Sequence, residues 1–305
     1  MGAGVNRMER MEREPSAKQD FGFTDGELAE LPTVYRDGLL EGQVVVISGG
    51  GSGIGKGIAF LCARLGAQVV ICGRTEDRLV AACDAMEKAG CRRPLHVPMS
   101  VREPDAVDDL YATVFSKFGK VDHLISNAGG QFPQNAIDFS RKGWSSVIDL
   151  NLNGTWWMTQ TLAQKWQELG TPGNIISIVA NVERGMPQAA HTCAARAGVI
   201  YLSKTLATEW APLNIRVNCI APGVVESEGF RVYPPEALQR FHDANPMKRR
   251  GNVWDIAEAC VYMMAPSADF ITGELLVIDG GQAQNGVVWP AGRPDWFGGS
   301  VSDRT

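Results

Sequence analysis

Gln43-Val44-Val45-Val46-Ile47-Ser48-Gly49-Gly50-Gly51-Ser52-Gly53-Ile54-Gly55 is the stretch on which the fold turns. A continuous, β-branched apolar run ends abruptly at glycines, and a helical pattern follows over 54–65. Such a run reads as a strand buried on both faces of a parallel sheet. Glycines lack Cβ atoms, so a backbone here can touch a pyrophosphate and adopt unusual dihedrals. The helix start beyond them offers free N–H groups and the positive end of a dipole. A plain tight turn is the alternative. The strand before and the helix after favour a dinucleotide-binding turn with Gly49, Ser52, Gly53, Ile54 and Gly55 at the ligand.

Working outward, strands are predicted at 67–72, 95–97, 121–126, 174–179, 215–220 and 274–278. Helices are predicted at 76–89, 105–118, 140–169 as one long element, 190–210 and 254–264. Strands alternating with helices imply an α/β fold, a Rossmann-like doubly wound parallel sheet in a single domain. Residues 1–35 lack periodicity and read as a flexible N-terminal extension or one that hugs the surface, 36–282 as the domain, and 283–305 as a C-terminal tail. Trp289, Pro290, Pro294, Trp296 and Phe297 in that tail suggest docking on a neighbouring subunit.

The 305 residues carry a net charge of -5, which argues against a nucleic-acid surface. No apolar run approaches the ~20 residues of a membrane span, and the first residues lack the apolar core of a secretory signal. Seven cysteines without Cys-x-x-Cys spacing read as reduced thiols of a cytoplasmic protein, and neither they nor the four histidines show metal-ligand spacing.

Cys72-Gly73-Arg74-Thr75 closes the second predicted strand without an acid. An acid there would bind a ribose 2′-hydroxyl. Arg74 can instead fork onto a 2′-phosphate, which points to NADPH, or stand as a solvated surface residue. Lys56, just past the glycine turn, is a further candidate cation.

With these motifs in place the chain resembles the short-chain dehydrogenase/reductase family over about residues 40 to 282. Ser48 to Gly55 resembles its Thr-Gly-x-x-x-Gly-x-Gly turn. Ser126-Asn127-Ala128-Gly129 is similar to its Asn-Asn-Ala-Gly segment, and Asn151 to its active-site asparagine. Ala221-Pro222-Gly223-Val224-Val225 resembles the Pro-Gly turn at the nicotinamide carboxamide. The resemblance implies cofactor contacts at Ser100, Val101, Asn127, Ala128, Gly129, Pro222, Gly223, Val225 and Ser227. It also implies a homotetramer.

The family's catalytic Tyr-x-x-x-Lys falls on Thr192 and Arg196, and its serine near Val179. Tyr201 and Lys204 do not replace the pair: Tyr201 lies on the opposite helix face, and Lys204 about 18 Å farther along the axis. Tyr201 reads as core or interface and Lys204 as structural. An alkanol is a poor acid for carbonyl reduction. Enoyl-thioester reduction asks instead for donors to an enolate oxygen. The segment from Gly185 to Gly198 resembles the peroxisomal trans-2-enoyl-CoA reductase and 2,4-dienoyl-CoA reductase branch. Dienoyl-CoA reductases of that branch use a tyrosine from an upstream loop, roughly where Asn181 stands, and no tyrosine lies in that stretch here.

The implied roles follow from that resemblance. Arg196 holds the nicotinamide ribose and keeps the site positive, Thr192 donates to the thioester oxygen, and Asn151 orders a water or a helix bend. Asn181, Glu183 and His191 are secondary candidates. Cys193 reads as packing. The substrate lid is expected at about 224–248, where Phe230, Tyr233 and Phe241 line an acyl channel or pack on one another. Lys248, Arg249 and Arg250 meet coenzyme A phosphates or form a solvated charge run. Two other functions compete with a small-molecule acyl thioester reductase: a carbonyl reductase or alcohol dehydrogenase with an unusual acid, and a non-catalytic dinucleotide-binding protein.

Overall fold

The computed structural model describes residues 21–232, 235, 238 and 241–284. Tyr233 and the aromatic residues expected in the tail lie outside these residues, as does the extension before residue 21. In chain order the main elements begin with helix α1 (Asp25–Glu30), strand β1 (Val44–Ser48), α2 (Gly53–Arg64) and β2 (Gln68–Gly73). They continue with α3 (Glu76–Lys88), β3 (Leu95–Pro98), α4 (Pro104–Phe118), β4 (His123–Ser126) and α5 (Arg141–Ile148). A π turn (Asp149–Asn153) leads directly into α6 (Gly154–Leu169). Then follow β5 (Gly173–Ile178), α7 (Ala190–Trp210), β6 (Ile215–Pro222), β7 (Val225–Glu226), β8 (Gly251–Asn252), α8 (Val253–Met264) and β9 (Leu275–Ile278).

Seven strands form one sheet in the order β3-β2-β1-β4-β5-β6-β9, every pairing parallel. The fold is the expected Rossmann-like sheet. Each central strand feeds two cores, because successive side chains point to opposite faces. Val45 and Ile47 of β1 join α2, α3 and α8 on one face, whereas Val44 and Val46 join α4 and α6 on the other. The largest buried side chains keep their polar atoms paired: Trp166 Nε1 donates to the Val121 carbonyl at 2.7 Å and the Tyr111 hydroxyl to that of Met158 at 2.8 Å.

Residues 21–35 lie against the domain, as in the surface-hugging alternative. Thr24 and Glu27 form a capping box at the start of α1, Leu28 is buried, and Arg64 donates to the Leu28 and Leu31 carbonyls. Trp254 Nε1 holds the Pro32 carbonyl at 2.9 Å. The predicted long helix at 140–169 is interrupted by the π turn around Asn151. A π turn is a local widening found mostly as a single turn inside a longer helix.

Candidate active site

The strand order reverses between β1 and β4, which opens a crevice at their carboxyl ends. Ser48 at the end of β1 holds its floor. Its hydroxyl accepts from the backbone N–H groups of Asn127 (3.0 Å) and Ala128 (2.9 Å), while Asn127 Nδ2 donates to the Ser48 carbonyl at 2.9 Å. A groove of about 340 Å³ lies above it. Of the expected cofactor contacts, Gly49, Ser52, Gly53, Ile54, Arg74, Ser100, Val101, Asn127, Ala128, Gly129 and Ser227 line it. Gly51, Thr75, Arg78, Met99, Leu150 and Gly229 line it as well and were missed. Arg78 sits one helical turn past Arg74, a spacing that is readable only once α3 is known to start at the groove.

The groove fits a dinucleotide on three observations. Gly49 and Gly53 have φ of +69° and +54°. A Cβ on Gly55 would overlap the Gly49 carbonyl oxygen and stand 2.5 Å from Asn127 Nδ2, so helix and turn touch only because that atom is absent. The N-cap Ser52 makes no side-chain hydrogen bond and the first turn of α2 has no acid, which leaves its N–H groups facing the groove. Arg74 and Arg78 are exposed and have no ion pair among the described residues. Lys56 does not add its charge to the groove. It is paired with Asp25 at 2.8 Å and Glu228 at 3.6 Å.

At the other end the expected catalytic residues gather beneath the groove and do not line it. Asn151, Thr192 and Arg196 are 0%, 3% and 8% exposed. Both atoms of the Asn151 amide are committed: Oδ1 accepts from the Gly130 N–H at 3.0 Å and Nδ2 donates to the Gly130 carbonyl at 2.9 Å. Asn151 therefore locks the strand-exit loop to the helix bend. Arg196 Nη1 donates to the Ile178 carbonyl at 3.0 Å. Its Nη2 lies where a Cβ on Gly129 would be, with Asn151 Oδ1 3.0 Å from the same point. Burial pulls the Arg196 guanidinium down to about 10.

Thr192 and His191 open α7 side by side. His191 Nδ1 accepts from the Thr192 N–H at 2.7 Å, with Thr192 Oγ1 at 3.4 Å. That bond leaves the proton on Nε2. The imidazole is boxed by Phe132 (centroids 4.7 Å apart) and Phe139 (4.4 Å). Cys193 Sγ accepts from the Met186 N–H. Asn181 Nδ2 donates to Asp279 Oδ2 at 2.6 Å and Glu183 is exposed, so neither joins Thr192. Pro222, Gly223 and Val225 do not line the groove: Pro222 and Gly223 pack against Asn181 and Asp279, and Val225 is buried in the root of the lid. Tyr201 is 71% exposed, with Lys204 Nζ 5.2 Å from its ring centre, so it is not core.

The lid residues resolve two open alternatives. Phe230 and Phe241 pack on each other, centroids 5.1 Å apart. Lys248, Arg249 and Arg250 are tied to Asp243, Asp255 and Glu226 at 3.4, 3.1 and 3.1 Å. Each of the three cations has a carboxylate partner. Among the described residues no helix is long and apolar enough to cross a membrane, and no three His, Cys, Asp or Glu side chains assemble as a metal site.

Residues 49–283 match the family model described as Enoyl-(Acyl carrier protein) reductase. The chain is 37% identical over 250 residues to the peroxisomal 2,4-dienoyl-CoA reductase [(3E)-enoyl-CoA-producing] of Pongo abelii, covering 80% of this chain and 84% of that one. It is 33% identical over 255 residues to the probable 2,4-dienoyl-CoA reductase [(2E)-enoyl-CoA-producing] of Bacillus subtilis, covering 81% and 98%. A short chain dehydrogenase from Bacillus anthracis superposes with a TM-score of 0.73 at 38% identity, over 82% of this chain and 99% of that one. The 3-ketoacyl-(acyl-carrier-protein) reductase from Brucella melitensis, complexed with NADH, does so with 0.74 at 32%, over 80% and 99%. The chain belongs to the short-chain dehydrogenase/reductase family and is an oxidoreductase. The cofactor of that family is a nicotinamide dinucleotide.

Proposed function

We propose that this protein reduces a carbon–carbon double bond of an unsaturated acyl-CoA with NADPH, the 2,4-dienoyl thioesters named for its relatives being the first substrates to try. The carrying observation is the buried Thr192 and Arg196 pair at the positions where the family has tyrosine and lysine. Among the described residues no phenol can replace that tyrosine. Tyr35 and Tyr111 are bonded to the carbonyls of Glu258 and Met158, and Tyr201 and Tyr262 are at least partly exposed on the surface.

A bound nicotinamide would supply hydride to the far end of the conjugated system, placing negative charge on the thioester oxygen until solvent returned a proton to carbon. The protein's part is electrostatic. Arg196, cationic at neutral pH and without a carboxylate partner, favours negative charge above Gly129. Thr192 is the hydroxyl donor to the thioester oxygen, and the His191 imidazole beside it accepts from the Thr192 backbone N–H. Asn151 keeps the Gly129-Gly130 backbone against Arg196.

NADPH over NADH is supported by Arg74, just past a strand end with no acid, and Arg78 in the first turn of α3, neither ion-paired among the described residues. A homotetramer is supported by edge strand β9 and its neighbours, where Val277, Phe270 and Tyr262 expose apolar surface. A cytoplasmic location belongs to the same reading.

The test is NADPH consumption with 2,4-dienoyl-CoA, trans-2-enoyl-CoA and simple ketones. Turnover on the thioesters, lost in Thr192→Val, is the expected result. Turnover on ketones alone, or full activity in Thr192→Val, refutes the proposal.

A further inference from the structure

The N-terminal segment meets the lid where the lid meets the groove. Phe21 packs edge-on against the buried Phe230, centroids 5.8 Å apart, and the Arg250 guanidinium covers Phe230 at 5.7 Å. The Gly22 backbone lies along Ser227: a Cβ on Gly22 would be 3.5 Å from Ser227 Cα. A second link is ionic. Lys56 of α2 stands between Asp25 of α1 and Glu228 of the lid. Ser227 and Gly229 line the groove, and a Cβ on Gly53 would be 3.6 Å from Ser227 Cβ. The lid thus stands directly over the glycine turn. Its outer support is α1, which Arg64 and Trp254 fasten to α2 and α8.

We propose that residues 21–30 are a bracket that holds the lid against the groove, with Phe21 and Asp25 as positioning residues that set how fast the dinucleotide leaves. The inference rests on reading the groove as the dinucleotide site. A pyrophosphate on the glycine turn leaves past Ser227 and Gly229, so contacts that hold these two residues slow its departure. The ring pair and the ion pair act on the same lid from two sides. Their loss differs in one respect, because only the ion pair is screened by salt.

The experiment follows NADPH dissociation from the full chain by stopped-flow fluorescence, with hydrogen exchange of residues 226–232 in the cofactor-free protein. Phe21→Ala is expected to speed dissociation about two- to tenfold, the range for losing an aromatic pair. Phe21→Tyr keeps the ring and the wild-type rate. Asp25→Asn speeds it up to about fivefold at low salt, and the wild type approaches that rate as salt rises. Exchange at 226–232 rises in Phe21→Ala and Asp25→Asn. Should Phe21→Ala loosen the whole domain, exchange rises everywhere and the surface variant Asp25→Asn decides in its place. Dissociation and lid exchange unchanged in these variants overturn the bracket alone. A wild-type chain that binds neither NADPH nor NADH overturns the groove reading and the bracket with it.

Discussion

Arg196→Met separates stability from catalysis at the residue beneath the groove. The wild-type guanidinium is 8% exposed and is bonded to one carbonyl, that of Ile178. Desolvation lowers its pKa from 12.5 to about 10. At about 1.4 kcal/mol for each pH unit, burying this charge costs the folded state about 3 kcal/mol at neutral pH. The sign follows from proton counting. Between pH 10 and 12.5 the unfolded chain holds the proton and the native one does not, so stability rises with pH across that window. Methionine fills much of the same volume without charge. It forfeits the charged hydrogen bond to Ile178, worth about 1.5–3 kcal/mol. The net expectation is a cofactor-free protein stabilised by about 1 kcal/mol, a Tm higher by about 2–4 °C. Turnover on the acyl thioester falls about 100-fold or more, the usual cost of removing a charge-stabilising donor. Calorimetry on the cofactor-free protein and thioester-dependent NADPH consumption read the two halves. A variant that melts below the wild type, or keeps turnover within threefold, refutes the reasoning.

Arg74→Asp is expected to shift the ratio of NADPH to NADH dissociation constants by about 10- to 100-fold toward NADH, as for loss of a charge-assisted bond; an unchanged ratio removes Arg74 from the site. Gly55→Ala places a Cβ on the Gly49 carbonyl oxygen, where only backbone can yield. It should abolish dinucleotide binding measured by calorimetry and leave substrate turnover undetectable. Burial lowers the His123 pKa from 6.5 to about 4, with Gln43 and Asn174 holding the neutral imidazole. The unfolded state takes up its proton first, so about 3 kcal/mol of stability is lost as pH falls from 6.5 to 4. Urea unfolding at the two ends of that range checks the loss, which His123→Gln should flatten.

The sheet was legible because its central strands are buried on both faces and read as unbroken apolar runs, β1 above all. Helix α7 was predicted at its observed bounds, since nothing in 190–210 interrupts it. The glycine turn was equally plain, being a local motif. What stayed hidden depends on partners distant in sequence. Lys56 looked like a free cation because Asp25 and Glu228 lie far from it along the chain. For Arg250 the sequence leaves a phosphate ligand and a solvated charge both open, because its partner Glu226 comes beside it only through the β7–β8 pair. Helix α1 is six residues long, too short for periodicity, although Thr24 and Glu27 carry a readable capping box. The sequence named Asn151, Thr192 and Arg196 through resemblance, but not that they lie under the groove with the Asn151 amide bonded to the Gly130 backbone.

The wide turn at Asp149–Asn153 has a consequence for length changes in this region. Its closing bond runs from the Gly154 N–H back five residues to the Asp149 carbonyl. The combined helix therefore contains one residue more than an ordinary helix of the same span would hold. Removing a residue from α5 or α6 proper would rotate everything beyond it by about 100° and turn Met158, Leu162 and Trp166 away from the sheet. Removing one within 149–153 would only tighten the wide turn, and both flanking helices would keep their present phase. A chain shortened there should still fold. It would lose the clamp on Gly130 and the close seat of Arg196 against Gly129, so the spare residue belongs to the chemistry and not to the architecture.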